Sequence, residues 1–494
     1  MRRLFGSLLF VLLGASWFTH WIQPERQSEV PILYWTTSPH GTRELELEGF
    51  YAWLEKHDYP KVEVRLDYSN NDLSKKMIQG LSGVGGDIID LYADQLYMLQ
   101  DTGMIADITE PAKEMGFSPD VVFPQLYSDL VIDGRQYGFP HNTGTHLYWV
   151  NVEAFEEAGM GIPPRSWTVD TFEEWGKRYM EARNPEGERR RFFFANTVRL
   201  IELVQSTGLA QYNETMTAAT TDDPRFVMVL ERIYKWMHED HIIPTMEEES
   251  TFAVEGSSIG IRMSLFARGN YAMLDMGRYA VIRLRQYGEI EYAASFFPHF
   301  GYENAQMGGG AMAIYADSEL KEHAYRIFQY VASEEHSRLV VETGDGVPVD
   351  PDFVETEAFL RPPEYPNEWR VHSAFAESAK RLGVPRQRSP FVMPEVMGRI
   401  IVLNYESFLA GRQSAEYTAR VIEERTNEEI RRTLREREDL RPEYERRLFI
   451  QEKIDRLKAE GEPIPEEWIY NPFYLKYYRD TGQLEASGPA PEKE

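Results

Sequence analysis

An α/β fold built from at least two core units is predicted for this chain, on three observations. Its 494 residues, 42% of them hydrophobic, exceed what one compact core accommodates. Near its start, strand-period and helix-period segments alternate, the pattern of a largely parallel sheet covered by helices. No fixed-period repeat runs through it, which sets solenoids and propellers aside.

The elements follow in order. Residues 30–37 (Val-Pro-Ile-Leu-Tyr-Trp-Thr-Thr) read as a strand entering a loop, and a helix pattern runs from about Glu44 to Lys56. Val62, Val64 and Leu66 alternate with charged residues, the period of a half-buried strand. A helix over about Asp72–Gln79 comes next. After the glycine-rich 83–86, Asp87-Ile-Ile-Asp-Leu-Tyr92 is short and apolar enough for a buried strand. Phe172, Trp175, Tyr179 and Met180 form an amphipathic helical stripe, as do Val227 through Met237 and Ala324 through Val331. From about Glu423 charges dominate, with i,i+4 pairs Glu428–Arg432 and Glu443–Arg447. Pro442 should break the helix there. A second amphipathic helix follows it, with Gly461 as its stop. The aromatic stretch Trp468–Tyr478 then precedes a polar end, rich in Gly, Pro and Glu, that reads as disordered.

Composition narrows the function. A formal net charge of −27 repels phosphate backbones, so nucleic-acid binding is disfavoured. With no cysteine, disulfides, thiolate metal sites, thiol catalysis and a lipid-modified N-terminal cysteine are all excluded. Arg2 and Arg3 precede the apolar run Leu4–Leu13 and the small residues Gly14, Ala15 and Ser16, the layout of a secretory signal. Trp17, Phe18, Trp21 and Ile22 lengthen that run, so residues 1–22 read as a signal peptide or an uncleaved anchor. Export to the periplasm is expected either way. The 10 Trp and 28 Tyr supply flat faces with polar tips, which serve a core or a small-ligand pocket.

Four ordered stretches carry a resemblance. The first is Asp87–Asp94 followed by Leu99-Gln-Asp-Thr-Gly-Met-Ile-Ala-Asp-Ile-Thr109. In the second, Asp133-Gly-Arg-Gln-Tyr-Gly-Phe-Pro140 leads through Leu147-Tyr-Trp-Val-Asn151 and Phe155-Glu-Glu-Ala-Gly159 to Pro163-Pro-Arg-Ser-Trp167. The third is Phe266-Ala-Arg-Gly-Asn-Tyr-Ala-Met-Leu-Asp-Met-Gly277 with Arg278 and Tyr279. The fourth is Gly308-Gly-Gly-Ala-Met-Ala-Ile314 with Gly344-Asp-Gly-Val-Pro348, and Leu409–Glu416 matches a last helix. Together they resemble extracellular solute-binding protein family 1, the maltose-binding-protein-like substrate-binding proteins of ABC transporters, over roughly residues 30–434.

The resemblance implies a two-lobed periplasmic-binding-protein fold of type II, each lobe a mixed, mainly parallel sheet flanked by helices. Lobe 1 would comprise 28–139 and 284–349, and lobe 2 would comprise 140–283 and 350–434. Crossings are expected near Pro140, after Ala280 and near Val349, with 435–494 a charged, aromatic helical extension outside the family pattern. It further implies a monomeric protein without cofactor or metal. That protein captures a carbohydrate by hinge closure and passes it to the membrane permease subunits of an ABC importer.

A sugar needs aromatic faces for its C–H surfaces and planar polar groups for its hydroxyls, presented at loop tips on facing lobes. Trp35, Thr36 and Thr37 follow the first strand, where the family places ligand contacts, with core packing the alternative for Trp35. Tyr92 and Asp94 follow the third strand, where Asp94 could accept two hydroxyls or cap a helix. His141, Asn142 and Thr143 lie just past the first crossing. Tyr279 matches the family's stacking position, and Arg278 beside it would be a hydroxyl or carboxylate partner. Gly309 and Gly310 permit close backbone approach. Trp369 and Arg388 complete the candidates.

Other readings stay open. A sensor for a membrane receptor would use the same closure. A glycoside hydrolase would need two facing carboxylates, and 80 acidic residues make such pairs free. His238 and His241 could hold a metal, although a solvated helix end explains them as well. The extension could wrap back onto a lobe or dock a partner.

Overall fold

In the computed structural model, residues 30–38, 41–69, 72–83, 85–252, 258–485 are described. The signal-or-anchor reading of 1–22 and the polar end after 485 lie outside them. Five strands form the first sheet, in the order Glu63–Asp67, Ile32–Thr36, Ile88–Tyr92, Gly310–Ile314 and Phe139–Pro140. Its central strand Ile88–Tyr92 is buried on both faces from Ile88 through Leu91. Ile88, Ile89 and Leu33 are inaccessible to solvent. Helix Leu73–Leu81 starts where the Asp72 carboxylate accepts the Lys75 N–H at 3.1 Å.

The second sheet runs Tyr292–Ser295, Leu147–Asn151, Tyr271–Met276, Phe193–Ala195. Helix Trp369–Glu377 lies on it, with Phe375 against Trp149 at 5.8 Å. Helices Pro224–His238 and Ala415–Glu436 pack together in the same lobe. Both sheets are mixed, but the expected parallel majority is not observed. In the first sheet Ile32–Thr36 pairs parallel with both neighbours, while Gly310–Ile314 pairs antiparallel with both of its own. In the second sheet only Phe193–Ala195 is parallel to its partner. The cause is the crossing topology: a strand that enters a lobe from the hinge runs opposite to one that leaves toward it.

The hinge is itself a small sheet of Gly383–Pro385, Ala305–Gly308 and Gly144–Thr145. Thr143 and Val347 exchange backbone hydrogen bonds of 2.9 and 2.8 Å beside it. One boundary differs from the sequence expectation. The second crossing lies after Ser295, not after Ala280, because Tyr292–Ser295 pairs with Leu147–Asn151 in the second lobe. Residues 284–295 therefore belong to that lobe.

The helix breaks about one turn earlier than Pro442. Helix Ala415–Glu436 ends at Arg437, and Pro442 sits in the first turn of the next helix, Arg441–Glu460, where its missing N–H costs nothing. Gly461 ends that helix at φ 72°, as a left-handed cap. Glu443 pairs with Arg447 at 2.6 Å, whereas Arg432 takes Glu436 at 2.9 Å instead of Glu428. Helix Pro472–Asp480 packs on the hinge strand Gly383–Pro385. A second small core forms there from Ala210, Val384, Ile454, Ile464, Phe473 and neighbouring rings. Buried Glu214 accepts from Lys458 Nζ at 2.6 Å, Tyr478 O–H at 2.5 Å and Gln451 Nε2 at 2.8 Å. Asn471 caps the last helix and donates to Tyr212 O at 2.9 Å and Gln387 Oε1 at 3.0 Å.

Candidate functional site between the lobes

The space between the lobes holds a cavity of about 680 Å³, within the ~300–1,000 Å³ usual for small-molecule sites. Its floor, on lobe 1, is a buried charge network. Arg43, in the first turn of helix Arg43–Lys56, donates from Nε to Thr37 Oγ1 and Asp90 Oδ2, both at 3.1 Å. Its Nη1 pairs with Glu46 and its Nη2 meets His141 Nε2 at 2.8 Å. Asp90 also accepts the indole N–H of Trp35 at 2.6 Å and the Thr37 hydroxyl. Burial opposes the charge on Arg43, but Asp90, Glu46 and Asp345 outweigh it and raise its pKa. Burial likewise opposes ionisation of Glu46. Arg43 and His336 overcome that and hold it well below the usual carboxylate range.

A guanidinium only donates, so His141 Nε2 must accept and the ring proton sits on Nδ1. Burial first, then the charge of Arg43, pushes the His141 pKa down to about 4. The unfolded chain therefore takes up a proton near pH 6.5 that the folded ring refuses. Stability from this residue is complete above pH 6.5 and is lost between there and pH 4, by an amount on the order of 3 kcal/mol. A His141→Gln variant, melted across pH 4 to 7, is expected to show a shallower fall in midpoint than the parent. Equal slopes would refute this role.

The facing wall belongs to lobe 2. His146 Nδ1 lies 2.8 Å from Asp275 Oδ1, and the Tyr279 hydroxyl is 3.4 Å from His146 Nε2. Arg199 pairs with Glu202 through Nε and lies 3.5 Å from Asp275 Oδ2 through Nη1. Burial works against the Asp275 charge, but His146 and Arg199 prevail and its pKa is lowered. Tyr279 remains 37% exposed and Tyr92, on the opposite lobe, 61%. Both line the cavity, one from each lobe.

Of the residues singled out from sequence, Tyr92, Asp94, His141, Asn142, Thr143, Arg278, Tyr279, Gly309 and Gly310 line this cavity. Several of them are already engaged by the protein. Asn142 donates to Asp345 Oδ1 at 3.2 Å and accepts the Gly310 N–H at 3.1 Å. Thr143 donates its hydroxyl to Gly308 O at 3.2 Å. The two glycines answer a close approach, but the approach is from the first crossing. A Cβ on Gly310 would stand 2.2 Å from the His141 ring, and one on Gly309 2.2 Å from Asn142 O.

Six expectations are corrected. Trp35, Thr36 and Thr37 are buried beneath the floor and do not line the cavity, because the strand turns them into the core. Trp369 lies in a helix on the second sheet, its indole bonded to Pro362 O at 2.9 Å, away from the cleft. Arg388 sits behind the wall, paired with Asp129 and donating to Asp94 O at 3.2 Å. Arg278 borders the cavity, yet its guanidinium is spent on Val340 O at 3.1 Å, Gly346 O at 2.7 Å, Val341 O at 3.3 Å and His372 Nδ1 at 3.1 Å. The negative C-terminal end of helix Glu334–Thr343 thus takes the place of a counter-ion. Burial still pushes its pKa down to about 9. His238 bonds Leu409 O at 2.8 Å, and among the described residues no His, Asp and Glu group is arranged to hold a metal.

Sequence reasoning missed Arg43, Lys76, Asp90, His146, Arg199 and Asp345. All six line the cavity.

Comparisons with known proteins agree with this geometry. Residues 52–367 match a family described as bacterial extracellular solute-binding protein. An ABC substrate-binding protein from Listeria monocytogenes, solved with cycloalternan, superposes with a TM-score of 0.66 at 18% identity, covering 81% of this chain and 99% of its own. The sugar-binding protein MalE from Xanthomonas citri gives 0.66 at 16% identity, over 81% and 98%. A Thermotoga lettingae solute-binding protein with bound alpha-D-tagatose gives 0.65 at 17% identity, over 81% and 100%. No match was found among curated protein sequences.

Proposed function

Because the chain belongs to the bacterial extracellular solute-binding protein family, we propose that it captures a carbohydrate between its lobes and delivers it to the membrane subunits of an ABC importer. The observation that carries this reading is the pair of part-exposed tyrosines on opposite walls, Tyr92 and Tyr279, flanking a polar cavity. Two flat faces accept the C–H surfaces of a sugar ring, while Asp94, Gln95 and Gln306 in the lining offer planar acceptors and donors to its hydroxyls. Solved relatives whose complexes contain cycloalternan and alpha-D-tagatose support the same class of ligand. In this reading the protein works as a monomer in the periplasm, free or held by its N-terminal segment. It binds its solute without transforming it, and hinge closure is the functional step.

A thermal-shift screen against mono- and oligosaccharides tests the reading, since a ligand of the folded state raises the melting temperature by mass action. Shifts from amines or inorganic anions and none from any sugar would defeat it. Tyr279→Ala is expected to weaken the best sugar roughly tenfold by calorimetry, about 1.4 kcal/mol, with the melting temperature of the free protein little changed. Unaltered affinity would remove Tyr279 from the site.

A further inference from the structure

Acids and bases of the cleft differ in how far the protein itself satisfies them. Asp90 has both oxygens occupied, by Trp35 on one and by Thr37 and Arg43 on the other. Asp345 accepts Asn142 on Oδ1 and Thr42 on Oδ2. Asp129 pairs with Arg388. These carboxylates have little left to offer a solute.

Lys76 and Arg199, although each has a partner in the protein, keep N–H donors that no described residue accepts. Lys76 is 5% exposed and lines the cavity, yet among the described residues its ammonium has a single acceptor, the carbonyl of Asp90 at 2.5 Å. Two of its three N–H donors engage nothing among the described residues. Burial, set against the attraction of Asp90, holds its pKa below that of an ordinary lysine. A buried ammonium with one neutral acceptor is a costly arrangement that an anion would relieve. Across the cleft, Arg199 uses Nε and Nη1, and no hydrogen bond among the described residues engages Nη2. At the hinge, Arg386 pairs with Asp94 at 3.3 Å, is about half exposed and lines the cavity.

We propose that the solute is an acidic carbohydrate, a uronic acid or short uronide, whose carboxylate is received by Lys76 of lobe 1 and Arg199 of lobe 2. The inference rests on the carbohydrate reading above and narrows it. An anion shared by a cation on each wall binds the closed arrangement better than the open one, so the same contact that selects the acid also drives closure. The ring would lie between Tyr92 and Tyr279, and the carboxylate would supply the acceptors that the occupied aspartates cannot replace.

The test compares D-galacturonate with D-galactose on the full chain, by thermal shift and calorimetry, with glucose 6-phosphate, acetate and inorganic phosphate alongside. Galacturonate is expected to bind at least roughly tenfold more tightly than galactose. Lys76→Gln is expected to lose most of that preference, read as the ratio of galacturonate to galactose affinity in the variant against the same ratio in the parent, and an unchanged ratio would remove Lys76 from carboxylate recognition. Arg199→Lys keeps a charge for Glu202 and Asp275 but withdraws the planar fork, so it is expected to weaken galacturonate without unfolding the wall. Galactose binding as well as galacturonate would overturn the acidic-sugar inference and leave the carbohydrate reading standing. Glucose 6-phosphate binding in the absence of a galacturonate response would overturn the carboxylate in favour of a phosphate. Acetate or phosphate matching galacturonate would overturn the carbohydrate reading itself. Silence from every sugar would overturn both.

Discussion

Phe473→Ala is expected to cost roughly 3–5 kcal/mol, the range for emptying a large aromatic from a packed core. Phe473 is inaccessible to solvent although it lies far along the extension. It stacks on Tyr477 at 5.6 Å and 14°, meets Tyr302 edge-on at 6.0 Å, and packs beside Tyr474 at 5.4 Å. Tyr302 comes from the second crossing, and Val384 in the same small core comes from the hinge strand. The cavity would therefore open where three separate stretches of chain meet, and none can close it alone. A denaturant melt should show a lower midpoint with an unchanged slope. Hydrogen exchange through 441–485 separates the two ways of losing that energy. Loss of protection there together with the rest of the second lobe marks the extension as part of one cooperative unit. An unchanged midpoint, with exchange raised in 441–485 alone, would mean that it docks as an independent flap.

Arg43→Ala is expected to be about as damaging, 3–5 kcal/mol, for an electrostatic reason. Removing one partner of a buried ion pair leaves the other charged and undissolved. Here Glu46 and Asp90 both lose their cation, and each is almost fully buried. The effect must depend on pH. In the parent, the Glu46 pKa is depressed, so its stabilisation is present above the unfolded carboxylate value near 4.5 and is lost as pH falls below it. In the variant, protonation of Glu46 relieves the uncompensated charge. The gap between variant and parent should narrow as melts move from pH 7 to pH 4, and a constant gap would show that Arg43 acts by packing alone.

The fold was readable wherever its information is local. The apolar run Asp87–Tyr92, the helix pattern from about Asp72 and the Gly461 stop each declare an element within a few residues, and the structure forms strand Ile88–Tyr92 and helices Leu73–Leu81 and Arg441–Glu460 there. The second crossing was misplaced because Tyr292–Ser295 is short, and its membership depends on pairing with Leu147–Asn151, about 140 residues earlier. The site divides in the same way. Tyr92 was singled out because it follows a strand and Tyr279 because it matches the family's stacking position, and both line the cavity. Arg43 and Lys76 could not, since an arginine or lysine on an amphipathic helix ordinarily faces water, and only the distant Asp90 reveals that these do not. Arg278 shows the converse error. Its position beside the stacking residue suggested a ligand partner, whereas the carbonyls that consume its donors lie some 60 residues further along the chain.

The indole of Trp35, displaced from the list of ligand contacts, acquires another property from where it sits. Its N–H is bonded to Asp90 at 2.6 Å and the Arg43 guanidinium lies 5.3 Å from its ring, so two opposite charges polarise one chromophore directly under the cavity. The energy of an indole excited state follows the field along its long axis. A solute that draws on Arg43 or shifts Asp90 changes that field without touching the ring, and solvent relaxation is already excluded at 2% exposure. Trp35 emission is therefore expected to shift in an Arg43→Lys variant, which a fluorescence spectrum of the free protein would read, and an unmoved spectrum would show that the ion pair does not act on the indole.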